Sequence, residues 1–112
     1  MVLASLRVVV PPSKRREVAL ALRSLCGPTE ARAGCLVCSV YHADDDENAF
    51  LLLQEWETHE ALDSYLQSDL YRTVLAVMET AIAPPQIRFD TLAHTGGVEV
   101  VEAARIRRPR LQ

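Results

Sequence analysis

The sequence predicts an α+β fold of the ferredoxin-like type, in which two helices cover one face of an antiparallel sheet. Five short stretches are rich in apolar residues, in most cases at alternate positions and in one as a continuous run, which is typical of β-strands. Two longer stretches carry apolar residues three or four positions apart, which is typical of amphipathic helices. In chain order they predict β-α-β-β-α-β-β, and the first six elements are those of the ferredoxin-like unit.

Length and composition indicate one globular domain. The chain has 112 residues, and we predict a single domain over residues 1–104 followed by a basic tail over residues 105–112. Apolar residues make up 49% of the chain and charged residues 24%, which is typical of a folded protein. A domain of this size has room for one core but little for an internal cavity, so a sizeable pocket would need a second subunit.

Charge and hydropathy argue against two classes of partner. With a net charge of −3 we expect no nucleic-acid partner, because phosphate binding needs a concentrated positive surface. We also expect no membrane partner, since no stretch approaches the roughly 18 apolar residues of a membrane span. The N-terminus lacks the basic start of a signal peptide, and three cysteines, an odd number, indicate free thiols in the cytoplasm. The basic tail is interpreted as a solvated segment or a strap on a partner subunit, with anion binding as the alternative.

The first half of the chain predicts a strand, a helix and a second strand. Residues 2–10 alternate apolar side chains and end at two prolines, which cannot donate to a ladder. Ser13 is a good N-cap for the next helix, and Gly27 followed by Pro28 would stop it. Residues 35–42 then form the second strand, which ends at an acidic, turn-rich loop.

The second half predicts three more strands and one long helix. Residues 50–56 form the third strand and end at the only tryptophan. After Thr58 an amphipathic helix begins, breaks at Ser68 and continues to a pair of prolines. Residues 86–93 and residues 98–104 alternate again and predict a fourth and a fifth strand.

Cys35 and Cys38 match a C-x-x-C motif by letters only. In a strand, residues three apart point to opposite faces of the sheet. A redox pair favours a helix N-terminus and a zinc site needs a second pair of ligands. We therefore interpret both as buried structural cysteines and expect no metal.

The third strand predicts a homodimer. Helices on one face of the sheet leave its other face bare, yet residues 50–53 are apolar on both faces. An exposed apolar sheet of that area would aggregate, so something must cover it. We expect the same face of a second subunit to do so, which makes a dimeric α+β barrel.

The stretch Trp56-Glu-Thr-His-Glu-Ala-Leu-Asp-Ser-Tyr-Leu66 resembles the signature of the antibiotic biosynthesis monooxygenase domain family, which includes quinol monooxygenase-like proteins. The turn at Gly34 and Cys35 is similar to the family's Pro-Gly-Cys turn into its second strand. The resemblance covers about residues 2–104 and implies the dimeric α+β barrel. One departure is clear: where the family has a helix histidine, nine residues after the tryptophan, this chain has Tyr65.

The resemblance implies two functions. Some members oxidise quinols or fused phenols with O₂ and no cofactor, so we expect a cofactor-independent monooxygenase acting on a small aromatic ligand. The alternative is a non-catalytic dimer that binds a small ligand on the same fold, which the missing helix histidine favours. Haem degradation is disfavoured, because that branch of the family needs an asparagine, a tryptophan and an axial histidine, and the only asparagine here, Asn48, lies in the acidic loop.

Trp56 and Tyr65 are the first candidates for a ligand pocket. A tryptophan can stack on a flat aromatic ligand and donate its N–H to a quinone oxygen; the alternative is that Trp56 only fills the core. Tyr65 can donate a hydrogen bond to the ligand but is a poor base, with an ordinary pKa near 10. The alternative is a packing role with its hydroxyl at the rim.

His42, Arg88 and Arg7 are further candidates, each with a structural alternative. His42 is the most plausible general base if it faces the cavity mouth, because only histidine titrates near neutrality unperturbed; otherwise it is a surface residue at a strand end. Arg88 could steady a phenolate or pair with a carboxylate such as Asp90. Arg7, in the first strand, has the same two interpretations.

Overall fold

The computed structural model describes residues 1–107 and gives eight regular elements. They are β1 (Val2–Val9), α1 (Arg15–Glu30), β2 (Cys35–His42), β3 (Ala49–Trp56), α2 (His59–Leu66), α3 (Arg72–Glu79), β4 (Gln86–Thr91) and α4 (Val98–Arg107). Two single 3₁₀ turns, Pro12–Lys14 and Asp69–Tyr71, precede α1 and α3. The predicted α+β ferredoxin-like class is confirmed, and the predicted break at Ser68 separates α2 from the second 3₁₀ turn.

The four strands form one antiparallel sheet in the order β2-β3-β1-β4. Alternate residues of β1 and β3 are buried under the helices, which defines an inner face of the sheet. On this face a larger apolar cluster joins the sheet to α1 and α3. A smaller cluster joins it to α2 and consists of Val2, Ala4, Trp56, Leu62 and Tyr65.

The opposite, outer face of the sheet carries apolar side chains that no helix of α1 to α3 covers. Leu51 and Leu53 of β3 lie there, opposite Arg7 and Ser5 of β1, and both leucines are only half-buried. This is the doubly apolar pattern that the sequence shows in residues 50–53. The face is accordingly available to another surface.

Helix α1 differs from the prediction at both ends. Ser13 is not its N-cap, since residues 12–14 form a 3₁₀ turn with no side-chain cap and α1 begins at Arg15. Gly27 and Pro28 do not stop it, because the helix runs to Glu30. Proline removes only the bond to the carbonyl four residues back, here on an exposed turn that water can solvate. The buried Thr29 hydroxyl donates to the Leu25 carbonyl at 2.8 Å and holds the last turn.

The predicted fifth strand, residues 98–104, is wrong: this stretch is part of helix α4. Apolar alternation there is short, and the residues that follow are good helix formers. Glu99 accepts a hydrogen bond from the Gly97 N–H at 2.7 Å in the first turn, and Arg105 and Arg107 lie in the last turn, so the charges suit the helix dipole. The rest of the predicted tail, residues 108–112, lies outside the described residues.

The two cysteines of β2 are on the same face of the sheet, not on opposite faces as predicted. A β-bulge between Cys35 and Val37 inserts an extra residue. Cys35 therefore pairs with Trp56 and Cys38 with Gln54, both of which point to the inner face. The bulged residue, Leu36, is exposed.

Across residues 1–107, none of the helices combines the length and the hydropathy that a membrane crossing needs.

Candidate functional site

The centre of the candidate site is a pair of stacked aromatic rings at the corner between β3 and α2. The Thr58 hydroxyl accepts a hydrogen bond from the Ala61 N–H at 3.1 Å, which caps α2 and fixes its start at His59. This start places Tyr65 over the last residue of β3. The Trp56 and Tyr65 rings stack with centroids 4.8 Å apart, and both side chains are fully buried. The structure thus brings together the two aromatic residues that the sequence singles out.

Gln54 connects this aromatic pair to the rest of the core. Its Nε2 donates to the Tyr65 hydroxyl at 3.0 Å and to Cys38 Sγ at 3.5 Å. Its Oε1 accepts from Trp56 Nε1 at 3.3 Å. All three polar groups of the buried amide are therefore satisfied, which offsets the cost of burying them. Sequence reasoning missed this residue as part of the site.

Burial keeps the Tyr65 phenol neutral. It raises the pKa of Tyr65 to about 12, although hydrogen bonding with Gln54 and Thr29 acts in the opposite direction. A phenol with such a pKa stays protonated near neutrality and is not a base, so its hydroxyl acts by donating and accepting hydrogen bonds. Tyr71 packs edge-on against Tyr65 with ring centroids 5.3 Å apart, and burial raises the pKa of Tyr71 as well.

A cleft opens beside Gln54, between the β1–β4 edge of the sheet and the turn from α2 to α3. The space in it that a water-sized group can enter is about 20 Å³, enough for one such group. Its polar groups come chiefly from Gln54 and Tyr71, and most of its wall is apolar: Leu6, Leu52, Leu66, Val74, Ile87 and Phe89. Phe89 belongs to β4 and is 46% exposed, because the helices do not extend over this strand. We call this feature the Gln54 cleft.

His42 and Arg7 lie elsewhere. His42 pairs with Phe50 at one end of β3, whereas Trp56 is at the other end, about 20 Å away at the usual rise of an extended strand. The His42 ring packs against Phe50 with centroids 4.6 Å apart. His42 and Arg7 line a surface recess of about 200 Å³ together with Tyr41 and other residues. A single chain does not bring them to the aromatic pair.

Arg88 is on the outer face of β4, opposite Ser5. Its guanidinium donates to the Asp90 carboxylate at 3.3 Å, and both side chains are largely open to solvent. An exposed pair of this kind contributes little to stability. Arg88 therefore points away from the Gln54 cleft, which is on the inner face.

Among residues 1–107, no group of three histidine, cysteine or carboxylate side chains is arranged to hold a metal ion. The three cysteines are free thiols. The Gln54 cleft is lined by the Gln54 amide and the Tyr71 phenol beside apolar walls, and the buried Trp56 and Tyr65 rings lie behind Gln54. Such a set can stack on, orient and dehydrate an aromatic ligand.

Comparisons with known proteins show which family the sequence matches. Residues 1–77 match the family model described as antibiotic biosynthesis monooxygenase. The uncharacterised protein sll1783 of Synechocystis sp. is 25% identical over 89 residues, which are 79% of this chain; the chain spans 60% of that relative's length.

Two solved structures show the same fold. A crystal structure of an antibiotic biosynthesis monooxygenase superposes with a TM-score of 0.75 at 18% identity, over 84% of this chain and 100% of that one. Rv0793 of Mycobacterium tuberculosis superposes with a TM-score of 0.77 at 22% identity, over 86% of this chain and 98% of that one.

Proposed function

Because the chain belongs to the antibiotic biosynthesis monooxygenase family, we propose that it binds a small aromatic quinol or phenol in the Gln54 cleft and oxidises it with O₂. One observation carries the proposal: an apolar cleft with a polar floor lies where the helical layer stops short of β4. Phe89 and Ile87 stand half-uncovered at its mouth, as the walls of an aromatic site would.

The cleft suits a flat ring with one oxygen. An incoming ring would stack against Phe89 and Tyr71 while its oxygen reaches the Gln54 amide or the Tyr71 hydroxyl. The cleft offers only about 20 Å³ to a water-sized group, so side chains at the mouth must move to admit a ring. Phe89 can turn outward, since it is not locked in the core. Trp56 and Tyr65 would act from behind, by fixing the Gln54 amide.

The proposed reaction draws all its electrons from the substrate. O₂ adds to the activated ring carbon, the O–O bond of the resulting hydroperoxide breaks, one oxygen stays as a carbonyl and the other leaves as water. The chain's part is to hold the ring, stabilise its oxygen and exclude bulk water. Neither the Tyr71 phenol at the cleft nor the Tyr65 phenol behind it is a base near neutrality, so a substrate that ionises readily is favoured.

His42 and Arg7 stay candidates for a base and an anion-binding group at a different place. Both line the recess at the far end of the sheet. His42→Gln tests this placement. A loss of turnover in this variant, with normal turnover in a variant of the Gln54 cleft, puts the reacting ring in the recess. Arg88 keeps a role only for a ligand at the outer face.

We also propose that the active form is a homodimer. Leu51 and Leu53 leave an apolar strip on the outer face of the sheet, and a second copy would cover it face to face. Such pairing would bury the half-exposed leucines of both chains. Sedimentation at micromolar concentration that gives only monomer would contradict this.

A binding protein without catalysis is the second candidate. Two observations favour it: the space in the cleft is small, and neither Tyr71 at the cleft nor Tyr65 behind it can act as a base near neutrality. The same walls would bind an aromatic ligand, and O₂ would then play no part.

Oxygen uptake with a panel of hydroquinones and naphthols tests the proposal. Phe89→Ala removes a wall of the Gln54 cleft and should raise KM about tenfold, the equivalent of about 1.4 kcal/mol of lost stacking and burial. Ile82→Ala is the matched control, because Ile82 is 63% exposed and outside the cleft; its kinetics should equal those of the parent.

Three results separate the candidates. Uptake that depends on Phe89 supports the monooxygenase. Binding that depends on Phe89 without uptake supports the binding protein. Oxygen uptake and ligand binding that are the same in Phe89→Ala and the parent contradict the assignment of the cleft.

A further inference from the structure

Two cysteines from different elements meet in the core. Cys26 is in the second half of α1 and Cys38 is in β2, and their sulfur atoms lie 3.3 Å apart. Cys38 Sγ donates towards Cys26 Sγ, and Cys26 Sγ donates to the Leu22 carbonyl at 3.5 Å. A disulfide needs about 2.05 Å between the sulfurs, so closure asks for a relative movement of little more than 1 Å. Gly27, next to Cys26, has open space around its Cα and can take up such a movement.

The two thiols differ in access. Cys26 is partly exposed, whereas Cys38 is only 5% exposed. An oxidant in solution would therefore meet Cys26 first. The third cysteine, Cys35, is directed differently, since its Sγ donates towards the Val37 carbonyl at 3.6 Å.

We propose that Cys26 and Cys38 form a reversible disulfide when the protein meets a hydroperoxide. This inference does not depend on the proposed function. The C-x-x-C letters pair Cys35 with Cys38, and the family resemblance also includes Cys35. The fold instead places Cys38 next to Cys26.

The chemistry needs two steps. The sulfur of Cys26 attacks the outer oxygen of the hydroperoxide, the O–O bond breaks, and the alcohol leaves, so Cys26 becomes a sulfenic acid. The sulfur of Cys38 then attacks Cys26 Sγ, the S–O bond breaks, and the hydroxyl leaves as water with the proton of Cys38. Two thiols lose two electrons in total, and the hydroperoxide gains them. Burial raises the pKa of the Cys38 thiol to about 12, which keeps it protonated, so the partly exposed Cys26 is the thiol that reacts with the hydroperoxide.

Formation of the disulfide would change the surroundings of the Trp56 and Tyr65 rings by moving Gln54. Cys38 Sγ is one of the two acceptors of the Gln54 amide, and the amide also holds Trp56 and Tyr65. Drawing Cys38 towards α1 would weaken the Gln54 bond to sulfur and shift the amide. Trp56 is the only tryptophan, so its fluorescence reports this event.

Thiol counting after oxidation tests the proposal. The reduced chain has three thiols that can be alkylated after unfolding. After treatment with hydrogen peroxide we expect a loss of two of them, one peptide pair joining Cys26 to Cys38, and full recovery with dithiothreitol. Cys35→Ser should still form the cross-link, whereas Cys26→Ser should form none. The Trp56 emission should change on oxidation in the parent and in Cys35→Ser, and not in Cys26→Ser.

Two outcomes would overturn the proposal. One is a cross-link that contains Cys35, whether within a chain or between chains. The other is a chain that keeps its three thiols, or carries only sulfinic acid on Cys26, after oxidation. The Cys26→Ser variant should fold normally, because Cys26 is at the edge of the core, so a failure to cross-link cannot be blamed on unfolding.

Discussion

At the scale of single residues, Gln54 organises the site. Its amide satisfies a phenol, an indole and a thiol at once, and it is 4% exposed. The sequence contained a usable signal, because residues 52, 54 and 56 share a face of β3 and a glutamine between two buried apolar side chains needs polar partners. Which partners it finds depends on how α2 docks, and that is not written in the local sequence.

Tyr65→Phe tests the amide network. The change leaves a buried N–H of Gln54 without its acceptor, so we expect the free energy of unfolding to fall by about 1–3 kcal/mol. The free energy of unfolding of the variant should also fall less steeply as the pH rises through the alkaline range. Folding raises the pKa of Tyr65 to about 12, so its stabilising effect is complete below pH 10 and is lost as the pH rises through 12.

Urea unfolding at several pH values between 8 and 12 measures both effects. The raised pKa of Cys38 also lowers the free energy of unfolding as the pH rises. Because the parent and the variant both keep Cys38, the difference between their profiles gives the contribution of Tyr65. Tyr41→Phe is the control, since Tyr41 is 49% exposed, and it should leave the profile unchanged. An identical alkaline profile in Tyr65→Phe and the parent would contradict the burial of this phenol.

At the scale of elements, alternation and helical spacing predicted β1 to β4 and α1 to α3, because each pattern shows directly which side of an element is buried. The failures have physical causes. Residues 98–104 alternate, but a strand also needs a neighbouring edge, and sequence alone does not show whether one is free. The bulge at Leu36 places Cys35 on the other face of the sheet from the one predicted, and no local sequence pattern predicts the bulge.

At this scale, Gly34→Ala tests the turn between α1 and β2. Gly34 joins the end of α1 to β2 beside the start of α2. Its φ is +85°, and a Cβ there would lie 2.5 Å from the Ala61 Cβ. Gly34→Ala therefore combines left-handed strain with a clash, and we expect a loss of about 2 kcal/mol or more in the free energy of unfolding.

Gly27→Ala is the matched control for this change. Gly27 is inside α1 and an added Cβ meets nothing within 4 Å, so we expect stabilisation of up to about 1 kcal/mol. Thermal and urea unfolding of both variants measure the difference. Equal stability of the two alanine variants would mean that the turn at Gly34 is not as described.

At the scale of the whole molecule, the fold accounts for where a ligand could enter. Three helices cover β1 to β3, and β4 at the sheet edge keeps its inner side chains half-exposed. The apolar outer face is free for a second copy, so the two surfaces do not compete. The aromatic corner was predictable from sequence, but the cleft was not, because it is the gap left between elements that are distant in the chain.

The position of a bound aromatic ligand tests the account most directly. Amide chemical shifts of ¹⁵N-labelled protein can be followed while 1-naphthol is added under nitrogen. We predict saturable shifts centred on the Gln54 side-chain amide, Tyr71 and Phe89, and in Phe89→Ala we expect the shifts at Gln54 and Tyr71 to saturate only at about tenfold higher ligand concentration. Shifts centred on the recess at Arg7 and His42, with the Gln54 amide unmoved, would contradict the account.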